Sequence, residues 1–98
     1  MNSVYRKSIG TKELVIDFED VFRAAETDLG DNYKKYIFCN LEFLEEYLYT
    51  DKDYAPYGLS ADMIELVDDD IEDELRDAYW EFLEKEKGLV EWANEDTE

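Results

Sequence analysis

Carboxylates crowd the segment 60–87 at spacings that would place many of them on one side of a helix. The segment holds twelve Asp and Glu residues against three bases. Its apolar residues recur at helical spacing, and the opposite face of the helical wheel is acidic. Together with Arg76, that face consists of Asp62, Glu65, Asp69, Glu72 and Asp73, flanked by Asp77 and Glu84.

This spacing has a parallel in nucleic acid. Acidic side chains four residues apart on a helix lie about 6 Å apart, roughly the distance between neighbouring phosphates. A 28-residue helix is about 42 Å long, so its acids would lie at about one per 3.5 Å, close to the roughly 3.4 Å per phosphate of one DNA strand. The segment therefore predicts a phosphate-like surface. A solvated face that only confers solubility is the alternative.

Trp80 falls on the same side of the wheel as Asp69 and Asp73. A partner arginine could stack on its indole ring and pair with a neighbouring carboxylate. Because Trp is enriched at interface hot spots, we expect Trp80 to anchor a partner. In the alternative, the ring is covered by apolar residues that follow the helix, namely Leu89, Val90 and Trp92.

Other chemistry has little support in this sequence. The chain has no His, which excludes Cys–His and Ser–His nucleophile pairs. One carboxylate set resembles the Mg²⁺ site of all-α nucleotide pyrophosphatases, and it consists of Glu42, Glu45, Glu46, Asp69, Asp70 and Asp73. We expect no catalytic residue, no metal and no cofactor, with a Mg²⁺-dependent pyrophosphatase as an alternative.

The overall composition points to a folded protein with an anionic surface. The net charge is -18, yet 45% of the residues are hydrophobic and 15% aromatic. Such a field would repel phosphate and anionic lipid, so we expect no direct nucleic acid binding and no membrane binding. The single Cys39 and the lack of a leader-like start favour the cytoplasm.

Three helical segments account for most of the chain: 12–29, 32–49 and 60–87. Gly30 and Gly88 stand where C-terminal caps belong, and Asp31 or Asn32 is the expected N-cap of the second segment. Short connections favour antiparallel packing. The predicted fold class is therefore all-α: a small antiparallel bundle of three main helices in one domain, residues 1–98.

Several local alternatives stay open. The β-branched Val15 and Ile16 allow a short strand near the N-terminus. Residues 36–39 could also form a strand, and Asp68-Asp69-Asp70 could break the third helix. We expect 1–11 and 93–98 to fray, although the basic residues of the N-terminal end could dock on an acidic face.

The acidic runs at 68–75 and 79–84, Asp-Asp-Asp-Ile-Glu-Asp-Glu-Leu and Tyr-Trp-Glu-Phe-Leu-Glu, resemble those of the DNA-mimic inhibitors of phages and mobile elements. These include antirestriction and anti-CRISPR proteins. The resemblance is of composition, size and helical acidity over residues 13–87. It implies a stoichiometric inhibitor that occupies a DNA-binding cleft.

We therefore expect a non-enzymatic acidic inhibitor that blocks a nuclease or defence complex in a bacterial host cell. Its partner would be a basic nucleic-acid-binding protein, and a homodimer would allow a longer duplex to be imitated. The main alternative is an immunity protein or antitoxin that neutralises a basic nuclease toxin, which should depend on a few hot spots.

Overall fold

A computed structural model describes residues 3–31, 36–55 and 57–89. Two strands come first, β1 (Val4–Ile9) and β2 (Lys12–Asp17), and four α-helices follow in this part of the chain. The helices are α1 (Phe18–Leu29), α2 (Ile37–Tyr49), α3 (Ala61–Leu66) and α4 (Asp69–Phe82). A π-helical turn, Leu83–Lys87, extends α4 directly.

The prediction of an all-α fold is wrong, because β1 and β2 form an antiparallel hairpin. In β2, Leu14 and Ile16 are buried while the residues between and beside them are more exposed, a period of two that suits a strand. The chain turns at Gly10, whose φ of 64° favours glycine. The mixed α/β fold thus arises because the alternating segment β2, which was predicted to begin the first helix, pairs with β1 as a strand.

Two further expectations for the N-terminal end are corrected. Residues 4–9, which we expected to fray, form β1. The first helix begins at Phe18 and not at residue 12, because Asp17 ends β2 and caps α1, accepting a hydrogen bond from the Glu19 amide at 3.0 Å. Gly30 ends α1 at a φ of 79°, as predicted. Residues 93–98 lie outside the described part of the chain.

Phe18, at this junction of strand and helix, lies at the centre of an aromatic cluster. Its ring centroid is 5.3 Å from that of Tyr79, 5.7 Å from that of Phe82 and 6.4 Å from that of Tyr5. The cluster joins the hairpin, α1 and α4 in one core. It therefore fixes how the hairpin is placed against α4.

Helix α2 packs against both α1 and α4. It starts at Ile37, with Tyr36 as N-cap in place of the expected Asp31 or Asn32; residues 32–35 lie outside the described ranges. The strand alternative for 36–39 is wrong, since 37–39 are helical. The buried side of α2 includes Ile37, Leu41, Phe43, Leu44 and Leu48.

The third predicted helix is broken in two, as the alternative at the aspartate run anticipated. Val67 ends α3 in an extended conformation, and Asp68 caps α4 by accepting a hydrogen bond from the Ile71 amide at 2.9 Å. Asp is a good N-cap and a poor residue inside a helix, which explains the position of the break.

The π-helical turn directs Lys87 back towards α1. The Lys87 Nζ lies 3.2 Å from a Glu19 carboxylate oxygen and 4.7 Å from the ring centroid of Phe22. Gly88 ends the turn in the left-handed region, at a φ of 67°. The C-terminal end of α4 is thus tied to α1 by one partly buried cation.

The loop between α2 and α3 folds closely against the end of α2. The Leu59 amide donates to the Thr50 carbonyl at 3.0 Å, and the Lys52 amide donates to the Leu59 carbonyl at 2.9 Å. Gly58 runs past this contact with no room for a side chain, since a Cβ there would lie 2.1 Å from the Thr50 carbonyl oxygen.

We expect Gly58→Ala to lower the free energy of unfolding by about 2–3 kcal/mol, because the added methyl group would meet fixed backbone atoms. Denaturant unfolding monitored by circular dichroism would measure this. Gly10→Ala is the matched control, since nothing lies within 4 Å of its Cβ position and only its positive φ opposes the change. Equal effects at both positions would contradict the close packing at Gly58.

Candidate partner-binding surface

The solvent-facing side of α4 carries most of the predicted carboxylates. Its other side is held in the core by Ile71, Leu75, Tyr79 and Phe82. Within the described ranges, six exposed acids on α4 and its extension form neither a hydrogen bond nor an ion pair through their side chains. These six are Asp69, Asp70, Asp73, Asp77, Glu84 and Glu86.

Two other acids of this helix have cationic partners. Glu74 Oε1 lies 3.2 Å from the Lys7 Nζ and accepts a hydrogen bond from the Tyr5 hydroxyl, so the basic β1 strand docks on α4. Glu81 pairs with Lys85 at 2.8 Å. Hydrogen bonds from Tyr5 and Lys7 lower the pKa of Glu74, and the hydrogen bond from Lys85 lowers the pKa of Glu81.

Tyr49 connects α2 with the N-terminal part of α4. Its hydroxyl donates to Glu72 at 3.0 Å, and the side chain is 46% exposed. Partial burial, the hydrogen bond to Glu72 and the charges of Glu72, Asp69 and Glu45 raise the pKa of Tyr49 to about 12. Carboxylates from two helices therefore act on one exposed aromatic residue. The spacing of acids in the sequence does not indicate this contact.

Asp62 and Glu65 are separated from the exposed acids of α4 by the helix break. Both are exposed on α3, but the extended backbone at Val67 and Asp68 interrupts the helix that the wheel assumed. Their alignment with Asp69 therefore does not follow from helical spacing.

Trp80 is half-buried instead of standing free among the acids. It packs edge-on against Phe38 of α2, with ring centroids 5.6 Å apart and planes at 86°. Of the residues expected to cover it in the alternative, Val90 and Trp92 lie outside the described part of the chain. The cover that the structure does show comes from α2, through a contact between residues distant in sequence.

The carboxylates proposed for Mg²⁺ are not gathered into a site. No group of three or more His, Cys, Asp or Glu residues within the described ranges is placed to hold a metal ion. The largest cleft that we describe, about 630 Å³, lies elsewhere, between α1 and the loop after α2. Tyr47 and Tyr57 line it, together with charges of both signs: Asp20, Asp28, Arg23 and Lys52.

Among the residues described, no helix combines the length and the apolar character needed to cross a membrane. Comparison of the chain with protein-family models, curated proteins and solved structures finds no match. The candidate site therefore depends on geometry and charge alone.

Glu72→Gln should lower the pKa of Tyr49 from about 12 towards the ordinary value of 10.0, because a neutral amide no longer disfavours the phenolate. The tyrosine ring NMR signals, followed as a function of pH, would measure it. Glu26→Gln, an exposed change on α1, should leave the Tyr49 titration unchanged. A Tyr49 pKa that stays near 12 in Glu72→Gln would contradict the contact.

Stability should fall as pH rises above 10, because several tyrosines have raised pKa values in the folded state: Tyr5, Tyr47, Tyr49, Tyr57 and Tyr79. The folded chain keeps these protons at a pH where the unfolded chain releases them. Their contribution is complete below pH 10 and is lost as pH rises through the folded pKa values.

The Tm measured between pH 9 and pH 12 tests this prediction. The double variant Y5F/Y49F should show a smaller fall than wild type. Tyr54→Phe, which changes a side chain that is 88% exposed, should fall like wild type. The same fall in all three proteins would show that other groups are responsible.

Proposed function

We propose that this protein is a non-enzymatic acidic inhibitor, whose α4 surface mimics nucleic-acid charge and blocks the DNA- or RNA-binding cleft of a nuclease or defence complex. The observation that carries the proposal is the set of exposed carboxylates on α4 that form no ion pair within the described residues: Asp69, Asp70, Asp73 and Asp77. Such a surface is complementary to the Arg and Lys side chains that bind phosphates. The bacterial cytoplasm is where such a target would be met.

The repulsion between these acids supports a functional role for the surface that they form. Asp69, Asp73 and Asp77 follow each other at intervals of four residues, and each like-charge pair of this kind costs about 0.2–0.5 kcal/mol in a helix. Elsewhere on α4, Lys7 and Lys85 relieve such repulsion. A cationic cleft would relieve it on binding where the protein itself does not.

The exposed acids of α4 are also held in fixed positions before any partner binds. Leu75 and Tyr79 are fully buried behind it, and Lys87 ties the end of the helix to α1. A fixed array of charge needs little ordering on binding. It also steers a basic partner during encounter, at rates that fall as salt increases.

One observation favours the alternative of an immunity protein or antitoxin. Tyr54 lies on the loop after α2, and its side chain is 88% exposed. The backbone of this loop is held by hydrogen bonds, since the Tyr54 amide donates to the Asp51 carbonyl at 2.8 Å. An exposed aromatic residue on an ordered loop is typical of an interface hot spot. In that case, Tyr54→Ser would weaken binding more than any single carboxylate change.

The proposal is tested by capture from a bacterial lysate at low salt, elution with a salt gradient and mass spectrometry. Association rates are then measured with the purified partner. The variant D69K/D73K/D77K should associate at least tenfold more slowly than wild type at low salt, because steering depends on local charge. Its matched control is E26K/D28K/D31K, which changes three exposed acids by the same amount of charge.

The control variant should keep most of the association rate. Equal slowing of both variants would mean that net charge alone matters and that α4 has no special role. Capture of no nucleic-acid-binding protein, or an unchanged rate for D69K/D73K/D77K, would refute the proposed function.

A further inference from the structure

We propose that the outer edge of β1, the side away from β2, binds an extended peptide segment of another protein. The bound segment adds a third strand to the hairpin, and it carries an apolar and a basic side chain four residues apart on one face. Of the four acids that carry the proposed function, only Asp70 lies beside this edge. The strand edge is therefore a second surface, with a different kind of recognition.

The turn of the hairpin decides which backbone groups of β1 face outward. Only Gly10 and Thr11 lie between the paired residues Ile9 and Lys12. The positive φ of Gly10, at the first turn position, is typical of a type II′ turn. The residues that flank such a turn are hydrogen-bonded to each other. Ile9 and Lys12 are therefore a hydrogen-bonded pair.

Two residues of β1 direct their amide and carbonyl groups away from β2. Hydrogen-bonded pairs alternate with other pairs along an antiparallel ladder, so Tyr5 and Lys7 are bonded to β2 while Arg6 and Ser8 face outward. The sheet has two strands, and within the described chain neither Arg6 nor Ser8 forms a backbone hydrogen bond outside the hairpin. A strand edge of this kind can pair with an incoming strand.

Two cavities open beside this edge, near the two ends of β1. The first, about 370 Å³, is lined by residues 3–5, and the second, about 350 Å³, by residues 7–9. Successive residues of a strand point to opposite faces, so a cavity that touches three in succession reaches the edge of the strand. No described residue of β2 lines either cavity, which makes this the outer edge. The side chains of an added strand would therefore enter these cavities.

The first cavity suits an apolar side chain. Its walls include the rings of Tyr5, Phe18 and Phe82. These rings belong to the aromatic cluster that joins the hairpin to α4, so their positions are fixed by packing. Of the three charged residues that line the cavity, Glu81 and Lys85 form an ion pair with each other at 2.8 Å. An apolar side chain would lose its contact with water against this aromatic surface.

The second cavity suits a basic side chain. Its charged residues are one base, Lys7, and three acids, Asp68, Asp70 and Glu74. Lys7 already pairs with Glu74 at 3.2 Å, and Asp68 caps α4. The surplus of negative charge therefore attracts a Lys or Arg side chain of the bound segment.

The positions of the two cavities set the spacing on the bound segment. The middle residues of their β1 walls, Val4 and Ser8, are four residues apart, which is about 13 Å along a strand. Positions i and i+4 of an extended segment point to the same face. The segment therefore carries a large apolar residue and a Lys or Arg at this spacing, whichever way it runs along β1.

A second copy of this chain is a poorer occupant of the same edge. Each copy carries a net charge of -18, so two copies repel each other. Pairing of β1 with β1 would also bring Arg6 and Lys7 of both copies together, and like charges on adjacent strands are destabilising. A basic segment of another protein is instead attracted by the field of this chain.

A display library of random nine-residue peptides, panned over immobilised protein at low salt, tests the proposal. We expect the enriched peptides to carry a large apolar residue and a Lys or Arg four residues apart. Ser8→Pro removes one outward amide and should weaken their binding at least tenfold. Glu13→Pro is the matched control, because Glu13 pairs with Ser8 across the hairpin and its amide faces the other edge. Binding to this control should stay within twofold of wild type.

Three results of this experiment would overturn the proposal. They are the absence of enriched peptides, enrichment without the expected spacing, and equal binding to the two proline variants.

Amide hydrogen exchange of the wild-type protein applies if a proline variant is unfolded by circular dichroism. An enriched peptide at saturation should slow exchange of the Arg6 and Ser8 amides at least tenfold and leave those of Glu13 and Val15 unchanged. Slow exchange at Arg6 and Ser8 before the peptide is added would show that this edge is already covered, and would overturn the proposal. Protection of Glu13 and Val15 in their place would do the same.

Discussion

Burial of one side of α4 is the constraint on which the rest of the structure depends. Ile71, Leu75, Tyr79 and Phe82 enter a core shared with Phe18 and α2. Because the helix repeats every 3.6 residues, this burial directs the acids between them towards solvent. The same contact that holds the fold together therefore also directs the anionic surface of α4 towards solvent.

Packing outweighs repulsion on this helix. A fully buried apolar side chain contributes about 1.5–3 kcal/mol, whereas each like-charge pair one turn apart costs only about 0.2–0.5 kcal/mol. A handful of core residues thus offsets the repulsion along the whole helix. The hairpin reduces the repulsion further, because Lys7 of β1 forms an ion pair with Glu74. The protein therefore keeps a dense field of charge without loss of a defined fold.

What the sequence did not predict depends on contacts between residues that are distant in the chain. Residues 14–16 match both a strand and the first turn of a helix, and pairing with β1 decides for the strand, which sequence periodicity does not include. The partial cover of Trp80 was not predicted for a similar reason, since Phe38 lies on another helix. Tyr49 was overlooked because its partner Glu72 is 23 residues away in the chain.

The apolar stripe and acidic side of α4, the cap at Gly30 and the break at Asp68 follow from the sequence, because helix periodicity and capping depend on residues within a turn or two of each other. Which carboxylates stay available to a partner does not follow from it. Lys7 and Glu74 are separated by 67 residues, and only the packing of the hairpin on α4 brings them together. Which acids are paired within the protein is decided by long-range contacts, because an ion pair requires proximity in space and not in sequence.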